Sequence, residues 1–497
     1  MSDIRVTYSG LISFAVRLTS VITGIIFTII VTRQLTVEEF GTWGVINGLI
    51  IYATIISPVT TYWLTREIAR GEKSGMTGLT SASLLSLIGI LIYFVASFFV
   101  GNESDADLIP LLIASIIIPV YFIDLSLTAI TLGSKPESAA ISLFVFEITK
   151  IPLGLFFIYF LEYGLEGAIF AVFFATIAKI LTLGIFTRKQ LREKFQIKFL
   201  QKWIKLFWLP VYRGLPALLA MSDVVIFSIM TGSVVGVAYY TSAKTVGMLV
   251  NHVRAFSTGV YPKLLETEKQ EFLKENLNKL LYFALPLTAF SIVFAEPALY
   301  VLNPAYKVGS VFVIFLSLRM FLKTLNQVFF QALQGIDKID KNENATFKEF
   351  LKSKLVWIPT FDLIRHGVYA GSLAGLIFIL SIQTEDTLEL VFYWSLIGFL
   401  IEIPITIYTI LITRKSFSLS LNFNSLIKYV IVSLIVFTIT FFIMNQNLEY
   451  TQNIFEFIPI LLLYVITSFV VYIIITYLID KKTRIFINSI LHEIIKK

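Results

Sequence analysis

The chain has 497 residues, 57% of them hydrophobic and 15% charged, against roughly 25% charged in ordinary soluble domains. Mean hydropathy is +0.82, which leaves too little polar surface to coat a water-soluble globule. The formal charge of +7 lies beside apolar runs, so membrane lipids and not nucleic acid are the expected partners. With no cysteine, disulfides, thiolate catalysis and Cys-metal sites are excluded.

A helix needs roughly 20 apolar residues to cross the hydrocarbon core. The opening MSDIRVTYSG does not read as a cleavable signal, because the apolar run behind it is too long and lacks a small-residue cleavage site. Six spans are expected first, at about 9–32, 41–64, 79–101, 108–132, 139–161 and 164–187. The segment RKQLREKFQIKFLQKWIKLFW (188–208) follows, mixing cations with Phe, Leu and Trp at helical spacing. It reads as an amphipathic helix lying in the interface. Six more spans are expected at about 209–231, 234–260, 279–302, 308–335, 355–381 and 388–412, and two last ones at 425–445 and 455–479. Charged, helical inside segments are expected at 263–279 and 336–354, and a basic amphipathic tail at 480–497. Segments such as LLSLIGILIYFVASFFV (84–100) show no polar alternation, which excludes barrel strands.

The loops orient the spans. With the N-terminus inside, the inside loops carry 29 Lys and Arg and the outside loops two, Arg33 and Lys307. This one-sided bias puts both termini in the cytoplasm, and the plasma (inner) membrane is the expected location. VTRQLTVEEFGTWGVING (31–48) and IMTGSVVGVAYYTSAKTVG (229–247) are weakly similar at an offset of 195, suggesting a parallel repeat. The expected fold is all-α and membrane-integral, with about 14 transmembrane helices in two six-helix lobes plus two extra C-terminal helices. The divisions are an N-terminal lobe (1–187), a linker (188–208), a C-terminal lobe (209–413), the last two spans (414–479) and the tail (480–497).

Nine cations remain within or at the ends of spans: Arg17, Lys150, Lys179, Arg213, Lys244, Arg254, Arg319, Lys323 and Arg365. Facing lipid at depth, they would together cost on the order of 25 kcal/mol. Arg213 and Arg254 are near enough to span ends to snorkel. The others must pair or line a hydrated cavity. Five acids lie in or near spans: Asp124, Glu147, Asp223, Asp362 and Glu402. They are candidates for pairing or for ion coupling. Glu147 with Lys150, and Asp362 with Arg365, share a helix face at i,i+3. Arg319 and Lys323 share one at i,i+4, with no acid nearby in sequence. The surplus is positive, and it suits a cationic central cavity for an anionic ligand. Packing and pairing within the bundle is the competing reading of each residue. His252 and His366 read as packed or near-surface residues. Pro58, Pro119, Pro152, Pro286, Pro359 and Pro404 would kink their spans. No G-x-x-x-x-G-K-[ST] loop and no sizeable ectodomain is present, so catalysis and cofactors are not expected.

The opening, with its first span ending TRQLTVEEFGTWGV (32–45) and TREIARGE (65–72) after the second, resembles polysaccharide-biosynthesis flippases of the Wzx type. These belong to the multidrug/oligosaccharidyl-lipid/polysaccharide (MOP) exporter superfamily. PALLAMSDVVIFSIMTGSVVGVAYYTSAKTVG (216–247) resembles the matching stretch of that family's second lobe. The resemblance implies alternating access and a lipid-linked oligosaccharide as substrate. It also implies cavity cations for the isoprenoid pyrophosphate, Arg17 among them. Two alternatives remain: a multidrug or cation antiporter of the same superfamily, and a non-transporting membrane factor of envelope polysaccharide assembly, either of which could work with other assembly proteins. The first would favour buried acids over surplus Lys and Arg, and the second larger outer loops.

Overall fold

The computed structural model describes residues 19–20, 22–257, 270–335, 347–417 and 423–495. Arg17, residues 258–269 of the expected eighth span and inside segment, and residues 336–346 lie outside them. Among the described residues every regular element is helical. Ten helices are long and apolar enough to cross a membrane, and two bent helix pairs pass the same test. The short apolar helix α1 (Ile22–Gln34) stands in the expected first span. In the expected eighth, α11 (Val235–Gly247) continues as a 3-10 segment, Met248–Ser257. Among the described residues each expected span thus contains helix.

The helices are built inside out relative to a soluble bundle. In α4 (Gly75–Glu103) the buried positions include Gly78, Ser81, Ala82, Ser86, Gly89 and Ser97. Leu84, Leu87, Ile88, Leu91, Phe94, Val95, Phe98 and Phe99 are exposed. Small residues let backbones approach, and large apolar ones face lipid, where their exposure carries no penalty.

The helices pack into two compact units: residues 1–238 with 374–385, and residues 239–373 with 386–497. The first changes over one helix pair later in the chain than the 188–208 segment. It contains α1, α2 (Val37–Thr54), α3 (Pro58–Ala69), α4, α5 (Leu108–Ser134), α6 (Pro136–Phe160) and α7 (Gly164–Leu191). The linker helix α8 (Ile197–Lys205) and the pair α9 (Trp208–Ala220) and α10 (Ser222–Thr231) complete it. Pro58 opens α3, and the α2–α3 pair bends by 64°. α9 packs on α3, and α10 on α2 and α4.

The turn after α10 explains Gly232 and Gly41 in the two similar segments 229–247 and 31–48. Gly232 adopts φ +67, a conformation that glycine reaches without a Cβ clash. Asp105, between α4 and α5, accepts from the Val234 N–H (2.6 Å) and the Ser233 hydroxyl (3.1 Å). Gly41 lies directly beneath, so close that a Cβ there would overlap the Val234 carbonyl. Thr36 and Glu39 form a capping box at the start of α2.

The second unit holds α11, α12 (Gln270–Val293), α13 (Ala295–Leu302), α14 (Ser310–Gly335) and α15 (Phe347–Lys352). It continues through most of α16 (Lys354–Leu380), α17 (Thr387–Ser416), α18 (Phe423–Asn447), α19 (Ile454–Ile479) and α20 (Lys481–Ile495). α14 packs along α17, and α12 along α18. Lys307, between α13 and α14, is neutralised by Glu296 (2.9 Å) and lies over the Tyr450 ring (3.8 Å).

Asp480, between α19 and α20, ties the last helices together. It accepts from Ser425 (2.9 Å), Tyr429 (3.1 Å), and both the backbone N–H and hydroxyl of Thr483 (3.0 Å each). It is therefore the N-cap of the basic tail helix. Burial alone would raise its pKa. The hydrogen bonds from Thr483, Ser425 and Tyr429 outweigh burial and hold it below the ordinary carboxylate value.

Gly41→Ala is expected to destabilise by about 1–3 kcal/mol through overpacking, lowering the thermal midpoint of the purified protein. Gly184→Ala on α7, where a Cβ meets nothing within 4 Å, should leave that midpoint unchanged or raise it slightly. Asp480 binds its proton more weakly folded than unfolded, so its contribution is complete above the unfolded carboxylate pKa of about 3.9 and lost as pH falls below it. Asp480→Asn should lower the thermal midpoint at pH 7, and the gap from the native protein should narrow below about pH 4.

Candidate functional site

The charged residues of the first unit meet partners one by one. Lys150 on α6 pairs with Glu147 at 2.7 Å, and Glu147 also accepts from Thr23 on α1 at 2.7 Å. The Lys150 ammonium lies over the rings of Phe146 and Phe27, 5.1 and 5.4 Å from their centres. Lys179 on α7 reaches Asp124 on α5 at 2.8 Å. Both pairs are mostly buried, and each leaves no net charge in the bundle. Asp223 is fully buried at the start of α10, within electrostatic reach of Tyr52. Arg213 is exposed on α9, 5.8 Å from the Tyr62 ring centre.

The second unit is different. Arg319, Lys323 and Asn326 lie on α14 at i, i+4 and i+7, one helix face. Asp362, Arg365, His366 and Tyr369 supply the facing seam of α16. Trp394, Gly398, Glu402 and Thr406 do so on α17, in steps of four. Arg365 bridges two acids, donating to Glu402 at 2.5 Å and to Asp362 at 3.2 Å. Asn326 adds a bond to Thr406 at 3.0 Å and a long one to Glu402 at 3.5 Å. Both acids are thus engaged by one arginine.

Arg319 sits in an aromatic frame. Its Nη1 donates to the hydroxyls of Tyr240 (3.2 Å) and Tyr369 (3.1 Å), and its guanidinium lies over the Tyr369 ring at 4.0 Å. Trp394 donates its indole N–H to Tyr369 (3.0 Å) and stacks on Tyr240 with ring centres 3.6 Å apart. Gly398 makes room, since a Cβ there would come within 2.6 Å of Arg319 Nη1. Only 3% of Arg319 is exposed. Neutral phenols and ring faces stabilise a cation without cancelling its charge.

Lys323, one turn along, is half-buried. Arg319, Glu402, Arg365 and Lys244 all lie within electrostatic reach of it. Lys244, also half-buried, stands over the Tyr240 ring at 5.6 Å. Among the described residues four cations therefore gather with two carboxylates, and the two carboxylates are both on Arg365. The surplus of positive charge falls on the group Lys244, Arg319 and Lys323. Such a site can hold a polyanion by direct ammonium contacts from the lysines and by the fixed field of Arg319. Arg254 is half-buried on the 3-10 segment, His366 is packed within the seam, and His252 is exposed.

Pairs within one helix, Glu147–Lys150 and Asp362–Arg365, follow from spacing alone. Asp124–Lys179 and Arg365–Glu402 join residues far apart in the chain. Sequence reasoning missed Tyr240, Tyr369, Trp394, Asn326, Thr406 and Gly398. The one signal available was the four-residue step shared by Tyr240 with Lys244 and by Trp394, Gly398, Glu402 and Thr406.

The profile of the family described as polysaccharide biosynthesis protein matches residues 6–268. The chain belongs to this family. No curated protein matches its sequence. Among solved structures it is similar to a lipid II flippase, MurJ, in an inward closed conformation, at 15% identity and TM-score 0.67, over 95% of this chain and 99% of that one. An inward-facing multidrug resistance MATE transporter of the MOP superfamily is similar at 15% identity and TM-score 0.60, over 82% of this chain and 98% of that one. A MOP superfamily transporter from Pyrococcus furiosus, described by the reverse polarity of its binding pocket, is similar at 17% identity and TM-score 0.52, over 83% and 95%. The shared fold is that of the MOP superfamily, and the chain is a multi-pass membrane protein of the polysaccharide biosynthesis family.

The Arg365 bridge makes a stability prediction. Glu402→Gln leaves a buried guanidinium with only Asp362, and losing one partner of a buried pair costs about 3–5 kcal/mol. Arg365→Met should be similarly destabilising. The double variant should lose less than the sum of the two in thermal denaturation, because the singles leave an uncompensated charge that the double does not.

Proposed function

We propose that this protein flips a lipid-linked oligosaccharide, carried on an isoprenoid pyrophosphate, from the inner to the outer leaflet by alternating access. The product would feed cell-surface polysaccharide or glycan synthesis, and the membrane would be the plasma (inner) membrane with both termini cytoplasmic. Family membership and the MOP fold support a flippase or transporter. The observation that carries the finer reading is the surplus of cations over carboxylates around Lys244, Arg319 and Lys323 in the second unit.

In this account Lys323 and Lys244 contact the pyrophosphate, and Arg319 contributes from its aromatic frame. Lys150, Lys179 and Arg365 are held by acids and act in the fold. Arg17, suggested by the resemblance, is a further contact. Arg213 and Arg254 serve as end-of-span cations. A cation-exporting antiporter would need the acids for its substrate, and here Glu147, Asp124, Asp362 and Glu402 are each engaged by a lysine or arginine.

The test is complementation of a flippase-deficient strain, with membrane abundance measured in parallel. Each charged hydrogen bond lost is worth ~1.5–3 kcal/mol, or roughly 10- to 100-fold in head-group binding. Lys244→Gln/Lys323→Gln should abolish complementation at normal abundance, and Arg17→Ala should weaken it. Full complementation by the double lysine variant would refute the cationic site. Export of a cationic drug that survives in that variant would favour the antiporter.

A further inference from the structure

The linker helix α8 presents three different sectors to three different environments. At 100° per residue, Phe199 and Trp203 fall together, as do Ile197 and Ile204, and Lys198, Lys202 and Lys205 form a third group. Phe199 and Trp203 are buried in the core of the first unit, against Leu64, Ile68, Leu127 and Leu183. Lys202 fastens this sector through Glu67 at 2.8 Å. Just upstream, the Glu193 carboxylate accepts from the Gly75 N–H (3.0 Å), and the Gln196 N–H donates to Thr77 (2.9 Å). The helix is thus clamped to the protein along one side.

The second sector leaves its apolar surface uncovered among the described residues. Ile197 and Ile204 are each 55% exposed, and Phe207 and Trp208, immediately after the helix, each 51%. Exposed Leu181 and Ile185 near the end of α7 continue the same kind of surface along a membrane-spanning helix. The third sector is basic: Lys198 and Lys205 are exposed, with Arg188, Lys189, Arg192 and Lys194 on the approach. The sole acid of the segment, Glu193, is occupied by Gly75. Aliphatic and aromatic surface next to exposed cations, at the end of a spanning helix, matches acyl chain next to an anionic headgroup.

We propose that α8 and its flanks are a binding site for anionic phospholipid, with Ile197, Ile204, Phe207 and Trp208 in the acyl region and Lys194, Lys198 and Lys205 on the headgroups. The site enriches anionic over zwitterionic lipid beside the first unit. It is separate from the charge cluster of the second unit and does not depend on what that cluster binds.

Trp208 reports on it. The full-length protein is reconstituted in phosphatidylcholine containing a minor fraction of either brominated phosphatidylcholine or brominated phosphatidylglycerol. Trp208-dependent quenching is the difference between native protein and Trp208→Phe. Brominated phosphatidylglycerol should quench this component at least about two-fold more effectively at equal mole fraction, and the preference should shrink with each cation removed. It should vanish in Lys194→Gln/Lys198→Gln/Lys205→Gln. It should also vanish in about 1 M salt, where the Debye length is about 3 Å. Equal quenching by the two lipids would show an anchor without headgroup preference. A preference that survives the triple variant would place the site elsewhere, and no Trp208-dependent quenching would remove the segment from the lipid. Each of these results overturns the proposal.

Discussion

A charge within the hydrocarbon region must meet an opposite charge, a ring of polar partners or water, and the interior of this protein is arranged around that constraint. The two units meet it differently. In the first, Lys150 and Lys179 are matched with Glu147 and Asp124, each joined by a short ion pair. In the second, Arg365 takes up both nearby carboxylates. Arg319 is seated on two phenols and a ring face. Phenols hold a guanidinium in place without themselves carrying a negative charge.

The aromatic frame has a mechanical consequence. Trp394 bonds to Tyr369 and stacks on Tyr240, so α11, α16 and α17 all converge on the one guanidinium carried by α14. α16 meets its neighbours largely through long side chains, including Phe361 with Phe330 and Trp357 with Tyr408. Small residues govern close approaches elsewhere, as where Gly41 touches the Val234 carbonyl and Gly398 admits Arg319. Gly41 in the segment after the first span therefore meets a packing requirement at one helix crossing.

Much of the architecture was legible because hydropathy and loop charge act locally. The second span was readable at 41–64, and Pro58 marked its bend, which the structure places between α2 and α3. The eighth span read as continuous, but α11 gives way to a tighter 3-10 segment at Met248, which apolarity alone does not reveal. The place where the compact units change over, after Ala238, depends on α9 and α10 packing against α2, α3 and α4, and tertiary packing leaves no periodic trace. The same limit applies to the site. Spacing revealed Asp362 with Arg365 and Arg319 with Lys323, while the distant partners Glu402, Tyr240 and Tyr369 required the fold.

The central claim is that Lys244 and Lys323 hold a pyrophosphate in the field of Arg319. Binding of short isoprenoid ligands to the purified protein tests it most directly, with the pyrophosphate, the monophosphate and the free alcohol compared by calorimetry. The account predicts that the pyrophosphate binds most tightly, that the alcohol binds weakly, and that Lys244→Gln/Lys323→Gln removes the difference. Equal affinity for all three ligands, or a pyrophosphate preference unchanged in that variant, would contradict it.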